Sequence, residues 1–186
     1  HADYPHDYQI IYHSNFGTPI LEEGARFLAP MASISPFNDY AKAGLKTWQT
    51  YAGPTKDFDE MVFNIQPLAD DHHQTLAAVV NKAGDKGASI QFDTRQLPVL
   101  TLWKNTDSQK QGYVTGIEPG TSYAYPVTIE REQKRVKQLQ PGASAQFDLT
   151  YTLLHNNKQV AEVEQRIAAI QGDAKVAEND APIAKE

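Results

Sequence analysis

The chain of 186 residues contains no cysteine, which excludes disulfide bonds, thiol catalysis and cysteine-based zinc sites. It has no basic excess, since 17 Lys and Arg stand against 23 Asp and Glu and the net charge is -6. We therefore expect no nucleic-acid partner, whose binding surface would be basic. No apolar run approaches the ~20 residues of a membrane span, so we predict no such span. Hydrophobic residues make up 40% of the sequence, which is enough for one buried core.

Short apolar stretches that alternate with polar residues are the strongest pattern in the sequence. Such alternation, interrupted by turn residues, is typical of half-buried β-strands. The predicted strands are YQIIYH at 8–13, EMVFNIQPL at 60–68, QTLAAVVNK at 74–82, GASIQFDT at 87–94, LPVLTLWK at 97–104, GYVTGIE at 112–118, EREQKRVKQ at 130–138 and ASAQFDLTYTLLH at 143–155. Together they predict an all-β fold, an antiparallel sandwich or barrel with little helix.

The C-terminal part of the sequence fits two secondary structures. Asn156 and Asn157 predict a hairpin turn, because Asn tolerates positive φ, and we expect a strand from Lys158 that becomes helical near its end. The alternative is an amphipathic helix ended by Gly172, because apolar residues recur at helical spacing. These residues are Val160, Val163, Ile167 and Ile170. We predict one β-sandwich domain over residues 1–171 and a flexible tail over 172–186, which lacks aromatic residues and periodicity.

Two short stretches hold residues suited to proton transfer. His13 ends the first predicted strand and Asn15 follows it in a turn; histidine exchanges protons near neutral pH, and an amide suits a hydroxyl-rich ligand. Glu118 follows an apolar strand and precedes Pro119–Gly120, a turn that would hold the carboxylate at a sheet edge or cavity mouth. Partial burial there would raise its pKa toward that of a general base. The alternatives are a strand-end histidine bonded to the backbone and an exposed glutamate beside a turn.

Four other residues suit sugar recognition. Trp103 is a candidate to stack on a sugar ring and Lys104 to donate to its hydroxyls, although a core tryptophan beside a solvated lysine fits the same pattern. Tyr113 lies near Glu118 in the sequence. Arg131, on a predicted solvated strand, is a candidate to reach inward to a carboxylate or a hydroxyl.

The stretch DDHHQ, from Asp70 to Gln74, contains the residue types of a metal site. Adjacent residues on a strand point to opposite faces, so a polar loop is the better interpretation. We predict no metal site and no cofactor.

Three stretches follow one another in a specific order along the chain. They are YHSNFGTPILEEGARFLAP at 12–30, LPVLTLWKN at 97–105 and GYVTGIEPGT at 112–121. Together they resemble the aldose 1-epimerase (galactose mutarotase) superfamily, and most of all its bacterial branch DUF4432, a domain of unknown function. The likeness runs from Tyr8 to about Ile170 and covers the C-terminal portion of the family's longer chains. It implies an antiparallel β-supersandwich with sugar bound on a concave sheet face.

The resemblance implies that His13 is the catalytic acid and Glu118 the catalytic base of an enzyme that interconverts sugar anomers. The family's other pocket residues come from its N-terminal half. Because the sequence begins at His1 without Met, we expect that this half was removed or is a separate chain. The expected partners are therefore a mono- or oligosaccharide and a second polypeptide. Periplasm and cytoplasm both stay open as the bacterial compartment.

Three alternatives to this function also fit the sequence. The first is a non-catalytic carbohydrate-binding sandwich in which Asn15, Trp103, Tyr113 and Tyr123 recognise the ligand. The second is another sugar isomerase or a lyase that uses His13 and Glu118. The third is a structural portion of a larger fold that is poorly stable alone, because its sheets lack partner strands.

Overall fold

The computed structural model describes residues 3–184, and residues 1–2 and 185–186 lie outside it. The strands are β1 (His6–Tyr8), β2 (Ser14–Phe16), β3 (Arg26–Leu28), β4 (Met31–Pro36), β5 (Met61–Pro67), β6 (Gln74–Val80), β7 (Gly87–Asp93), β8 (Val99–Asn105), β9 (Val114–Gly120), β10 (Lys137–Leu139), β11 (Leu149–Leu154) and β12 (Ala177–Glu178). The helices are α1 (Val127–Glu132) and α2 (Asn157–Gln171), with a 3-10 turn at Ala41–Gly44.

Two antiparallel sheets pack face to face around one core. The six-stranded sheet has the order β12-β4-β5-β8-β9-β2, and the four-stranded sheet has the order β11-β7-β6-β3. Every neighbouring pair is antiparallel except β12 and β4. The core between the sheets includes Phe27, Phe63, Ile65, Ile90, Phe92, Leu102 and Ile117. The predicted all-β antiparallel architecture with little helix is confirmed.

The strands from β5 to β9 follow the predicted ones, because their alternation marks one face for the core. The N-terminal strand differs. Only a single bridge, between Ile11 and Gly120, joins the chain to β9 before β2 begins. Tyr12 N donates to Pro119 O at 2.9 Å, but Pro119 has no N–H to return the bond. The regular ladder is therefore interrupted within the predicted strand 8–13.

The stretch predicted as a solvated strand at 130–138 is also different. It contains the end of α1 and the start of β10. Glu130 is fully buried, and Arg135 donates two hydrogen bonds of 2.7 Å to its carboxylate. This ion pair joins residues five positions apart, Glu130 within α1 and Arg135 just after it, and the mixed charges of the sequence do not reveal it.

The prediction of a hairpin at Asn156–Asn157 followed by a strand from Lys158 is wrong. Residues 157–171 form α2 throughout. The Asn156 side chain accepts from Gln159 N at 3.0 Å, and the Gln159 side chain accepts from His155 N at 2.7 Å. The Asn156 side chain caps the helix, and Gln159 reaches back to the residue before the cap in an arrangement similar to a capping box, which favours a helix start over a turn.

Helix α2 packs on the outer face of the four-stranded sheet. Val160 and Val163 contact Val80 and Leu154 there, and Gly172, with φ of +52°, follows the last helical residue. No helix among residues 3–184 is long and apolar enough to cross a membrane.

The segment predicted as a flexible tail, 172–186, makes ordered contacts as far as the structure describes it. Its strand β12 pairs in parallel with β4. Asn179 N donates to Ile34 O and Asn179 Nδ2 to Ser35 Oγ, both at 2.9 Å. Residues 173–184 therefore run along the edge of the six-stranded sheet rather than free in solvent. The last two residues of the predicted tail lie outside the described residues.

Strand β11 leaves apolar surface open at the edge of the four-stranded sheet. Tyr151 lies opposite the buried Ile90, yet Tyr151 is 54% exposed and Leu153 is 64% exposed. Nothing within residues 3–184 covers this edge, although the alternation of 143–155 predicts a half-buried strand. An exposed apolar edge strand is a template for pairing with another chain.

We expect the 186-residue chain to associate through β11 as its concentration rises, and Leu153→Lys to shift it toward the monomer. A charge on the exposed apolar edge opposes strand pairing. Sedimentation velocity over a hundredfold concentration range measures this. Thr150→Lys, on the opposite face of the same strand, is the matched control. A chain that stays monomeric throughout contradicts the prediction.

Candidate functional site

The register of the six-stranded sheet places a polar row on the face that points away from the core. Asn64 on β5 lies opposite Thr101 on β8, and Thr101 lies opposite Glu118 on β9. Ser14 pairs with Ile117, so His13 comes next to Glu118 in the same row. Because side chains alternate along a strand, the burial of Ile117 in the core directs Glu118 to the other face.

Glu118 and His13 are in direct contact. The Glu118 side chain is 4% exposed, and its Oε1 lies 3.0 Å from His13 Nε2. The ring is not aligned for a hydrogen bond, so Oε1 is a buried oxygen without a hydrogen-bond partner. On the other side of the ring, His13 Nδ1 lies 2.9 Å from Asn15 Oδ1. A buried carboxylate oxygen without a partner is rare in proteins and is a mark of functional sites.

The electrostatics of the pair favour proton transfer. Burial raises the pKa of Glu118 from 4.5 to about 7; the neighbouring His13 opposes this rise and Glu60 adds to it. The carboxylate is therefore close to half ionised at neutral pH. A general base is most effective when its pKa lies near the working pH.

A pocket of about 430 Å³ opens above this pair. It is lined by Ile11, His13, Phe37, Glu60, Val62, Thr101, Trp103, Glu118 and Ala124. Trp103 forms one wall, with its ring centroid 5.4 Å from that of His13 and the two planes 64° apart. The volume falls within the usual range for small-molecule sites.

A larger cavity, of about 490 Å³, lies between β3 and α2. The charged side chains at this cavity, Arg26 and Glu164, neutralise one another at 2.7 Å. The smaller pocket is the better candidate because its buried acid lies beside a histidine, and neither Lys nor Arg lines the pocket to neutralise it permanently.

Gly116 lies against two of the side chains that line the pocket, Glu118 and Trp103. A Cβ at this position would overlap the Glu118 carboxylate and would lie 3.2 Å from Trp103 Cε3. The residue pairs with Trp103 across the sheet. A glycine is needed here because the carboxylate and the indole approach the backbone closely.

Lys104, predicted to bind a sugar, lies outside the pocket. Adjacent strand residues face opposite ways, so Lys104 points away from the face that carries Trp103. Its Nζ donates to the carbonyl oxygens of Thr47, Trp48 and Thr50 at 3.1, 3.1 and 2.8 Å. Burial lowers the pKa of Lys104 to about 8, and the three carbonyls favour its charged form. Lys104 therefore holds the turn at 47–50.

Tyr113 and Arg131 are also outside the pocket. The Tyr113 hydroxyl donates to Ala52 O at 2.5 Å and its ring packs in the core. Arg131 Nε lies 2.8 Å from Asp7 Oδ2 on the surface. Both predicted contacts with a sugar are therefore replaced by contacts within the protein. Asn15, the remaining predicted binder, contacts His13.

The setting of Glu118 differs from the prediction. Strand β9 continues through Pro119 to Gly120, which pairs with Val99, so these two residues form no turn. The strand lies between β8 and β2, not at an edge of the sheet. Glu60 was missed altogether, because it precedes β5 in a polar stretch that gives no sequence signal.

The stretch from Asp70 to Gln74 spans the turn between β5 and β6 and the first residue of β6. The Asp70 carboxylate accepts from His72 N at 2.9 Å and from Gln74 N at 2.8 Å. In the described part of the chain, no three His, Asp or Glu side chains are grouped as a metal would require.

Comparison with known proteins decides the family. The family model described as "Domain of unknown function (DUF4432)" matches residues 1–153. The chain belongs to the DUF4432 family. The suspected relationship is thereby confirmed. None of the curated proteins matches this chain.

This DUF4432 chain is also similar to a solved structure, that of a putative aldose 1-epimerase from Klebsiella pneumoniae. The two are 90% identical over the whole of this chain, with a TM-score of 0.98. The chain covers 48% of the Klebsiella chain, or about half its length.

The raised pKa of Glu118 makes a prediction for the stability of this DUF4432 chain. In the unfolded chain Glu118 ionises near 4.5 and in the folded chain near 7, so the free energy of unfolding falls as the pH rises between these values. Glu118→Gln removes this loss and should be more stable than wild type by about 1–3 kcal/mol at pH 8, with little difference at pH 4. Denaturant unfolding at pH 4, 6 and 8 measures this.

The control for this measurement is Glu132→Gln, since Glu132 is exposed at the end of α1. It should show no pH-dependent difference. An effect of Glu118→Gln that is equal at all three pH values would mean that burial does not penalise the ionised carboxylate.

A second stability prediction concerns Lys104. Lys104→Met leaves three carbonyl oxygens without their donor and should lower the free energy of unfolding by about 2–4 kcal/mol. Lys46→Met, on the exposed side of the same turn, should change it little. If Lys104→Met were as stable as wild type, the proposed structural role of Lys104 would be wrong.

Proposed function

We propose that this chain carries the acid and base of an aldose 1-epimerase-like reaction, which interconverts the anomers of a free sugar. The observation that carries the proposal is the buried Glu118 oxygen without a hydrogen-bond partner, 3.0 Å from His13, at the base of a pocket walled by Trp103. An acid and a base in contact, one of them with a pKa near 7, suit proton transfer at neutral pH.

The reaction requires one proton to be removed and one to be supplied. Glu118, as the carboxylate, takes the proton from the hydroxyl on C1 of the sugar, while protonated His13 gives its proton to the ring oxygen. The bond between C1 and the ring oxygen breaks, and the open-chain aldehyde forms. Rotation about C1–C2 presents the other face of the carbonyl. On ring closure Glu118 returns its proton to the oxygen on C1, and His13 takes back the proton from the hydroxyl that becomes the ring oxygen again.

The geometry of the pair fits this chemistry. The hydroxyl oxygen and the ring oxygen are both bonded to C1, so an acid and a base that stand side by side can reach both of them. The free protein holds the two groups in contact, and the sugar must come between them. Asn15 Oδ1, near His13 Nδ1, orients the imidazole so that Nε2 faces the reacting oxygen.

The lining of the pocket favours an uncharged sugar. Among the described residues it contains two carboxylates, Glu60 and Glu118, and neither Lys nor Arg. A phosphorylated or carboxylated sugar would meet like charge without a compensating cation. An aldose with only hydroxyl groups can donate hydrogen bonds to both carboxylates while one of its faces packs on Trp103.

The Klebsiella protein supports this assignment by its name and by its 90% identity to the chain. Because the chain covers 48% of that protein, the activity of the whole protein comes to this chain only as part of the proposal.

A non-catalytic sugar-binding role is the second candidate. The observation that favours it is the direct contact of His13 with Glu118, since catalysis requires the two groups to act on separate oxygens. In this role the pair would accept and donate hydrogen bonds to bound hydroxyls, and no anomer would be converted.

Polarimetry with freshly dissolved α-D-glucose and α-D-galactose tests the proposal. We expect Glu118→Gln and His13→Asn each to lower kcat by about 10²–10⁴-fold. The wild-type rate should fall as the pH drops below about 7, because protonation removes the base. The controls are Glu132→Gln and His72→Asn, whose residues are exposed outside the pocket.

Two results separate the candidates. Sugar binding without any acceleration of anomer conversion favours the second role. Full activity in Glu118→Gln excludes this residue as the base, whatever the sugar.

A further inference from the structure

Glu60 is the one pocket residue with a carboxylate that the proposed proton transfers do not use. It directly precedes β5 and is exposed at the mouth of the pocket. Its Oε2 accepts a hydrogen bond from Trp103 Nε1 at 2.7 Å. A charge-assisted bond of this length is among the stronger hydrogen bonds in proteins. Glu60 therefore fixes the indole that forms the pocket wall.

Three neighbouring residues define the position of the Trp103 indole. Glu60 binds its nitrogen, the His13 ring lies against it at 5.4 Å, and Gly116 leaves room for its Cε3 edge. A half-buried tryptophan that cannot rotate presents one fixed apolar surface to the pocket. A sugar ring can pack its C–H face on such a surface at little cost in side-chain entropy.

The second oxygen of the Glu60 carboxylate is available to a ligand. Within residues 3–184, Trp103 Nε1 is the side-chain donor to this carboxylate, and no Lys, Arg or His forms an ion pair with it. A carboxylate can accept about four hydrogen bonds. Glu60 thus has acceptor capacity directed at the pocket next to the aromatic surface.

We infer that Glu60 and Trp103 form a sugar-binding platform, in which Glu60 both locks the indole and accepts hydrogen bonds from sugar hydroxyls. The inference rests on the proposed sugar-binding function and assigns Glu60 a positioning and recognition role, separate from proton transfer. It predicts an effect on sugar affinity with little effect on kcat.

The chain contains its own matched control. Its other tryptophan, Trp48, also donates from Nε1 to a glutamate, Glu178 Oε1, at 3.1 Å. This pair lies outside the pocket that holds Glu118. Changes at Glu178 therefore test the loss of a tryptophan–glutamate bond alone.

The experiment follows the two indole N–H signals of the ¹⁵N-labelled chain by NMR, with Trp48→Phe to assign them. The probes are D-galactose and its methyl β-glycoside, which cannot change anomer. We expect both probes to shift the Trp103 signal and to leave the Trp48 signal in place. Glu60→Ala should weaken binding of both probes by about tenfold or more. Glu60→Gln, which keeps an acceptor for the indole, should weaken it less, and Glu178→Ala, the control matched to Glu60→Ala, should have no effect.

A pH profile provides a second measurement. The titratable groups that face Glu118 are His13, before β2, and Glu60, before β5, while β8 contributes the non-titrating Thr101 and Trp103. Glu60→Gln removes a negative charge and should move the acidic limb of the rate profile to lower pH. An unchanged limb in the folded variant would mean that the Glu60 carboxylate does not face the pocket, which overturns its role in recognition.

The possible results are distinct. Unchanged affinity of Glu60→Ala for both probes, or no shift of the Trp103 signal by either probe, overturns the inference. Binding of the glycoside that depends on Glu60, without any anomer conversion of the free sugar, supports the inference and refutes the proposed enzymatic function. In the Glu60 variants an unchanged Trp48 signal shows that the protein is folded, and in the Glu178 variant an unchanged Trp103 signal shows it.

Discussion

The register of β9 between β8 and β2 is the constraint on which the candidate site depends. Ile117 is buried in the core, and the Thr115 hydroxyl, on the same face, donates to Trp103 O at 2.7 Å. These contacts fix the strand in one alignment. A slip of one residue would exchange the two faces and place Glu118 in the apolar core. The same burial of Ile117 that stabilises the sandwich therefore also brings Glu118, His13 and Trp103 to one pocket.

Glu118 and Glu130 are both buried, but their carboxylates have different partners. Glu130 is more deeply buried than Glu118, but Arg135 satisfies its carboxylate with two hydrogen bonds. Glu118 has the close His13 and a buried oxygen without a hydrogen bond. The first arrangement closes the turn that follows α1, within the segment after β9. The second destabilises the ionised carboxylate, which is the property that the proposed proton transfer requires of it. The two residues are therefore distinguished by the side chain beside each carboxylate, Arg135 for Glu130 and His13 for Glu118, and not by their burial.

Alternation in the sequence was sufficient to predict the central strands, because each has one face that must be apolar. The same rule separates Trp103 from Lys104, since neighbours on a strand cannot both face one pocket. The predicted sugar contact of Lys104 failed because that rule was not applied to this pair. The placement of His13 and Glu118 came from the family resemblance, and the structure brings them together at 3.0 Å. Glu60 could not be predicted, because its approach to Trp103 depends on the pairing of β5 with β8.

The fold restrains Glu118 and His13 to different degrees. Glu118 lies on an interior strand with neighbours on both sides, and its side chain is almost fully buried. His13 directly precedes the edge strand β2, and its side chain is 52% exposed. Ser14, the next residue, contacts the hydroxyl of Tyr151 at 2.8 Å, and Tyr151 belongs to the open edge at β11. A chain that covers this edge would therefore also restrain the segment that carries His13. It follows that the proposed sugar binding by Glu60, Trp103 and Glu118 depends little on such a cover, whereas the alignment of His13 as the proposed acid depends on it more.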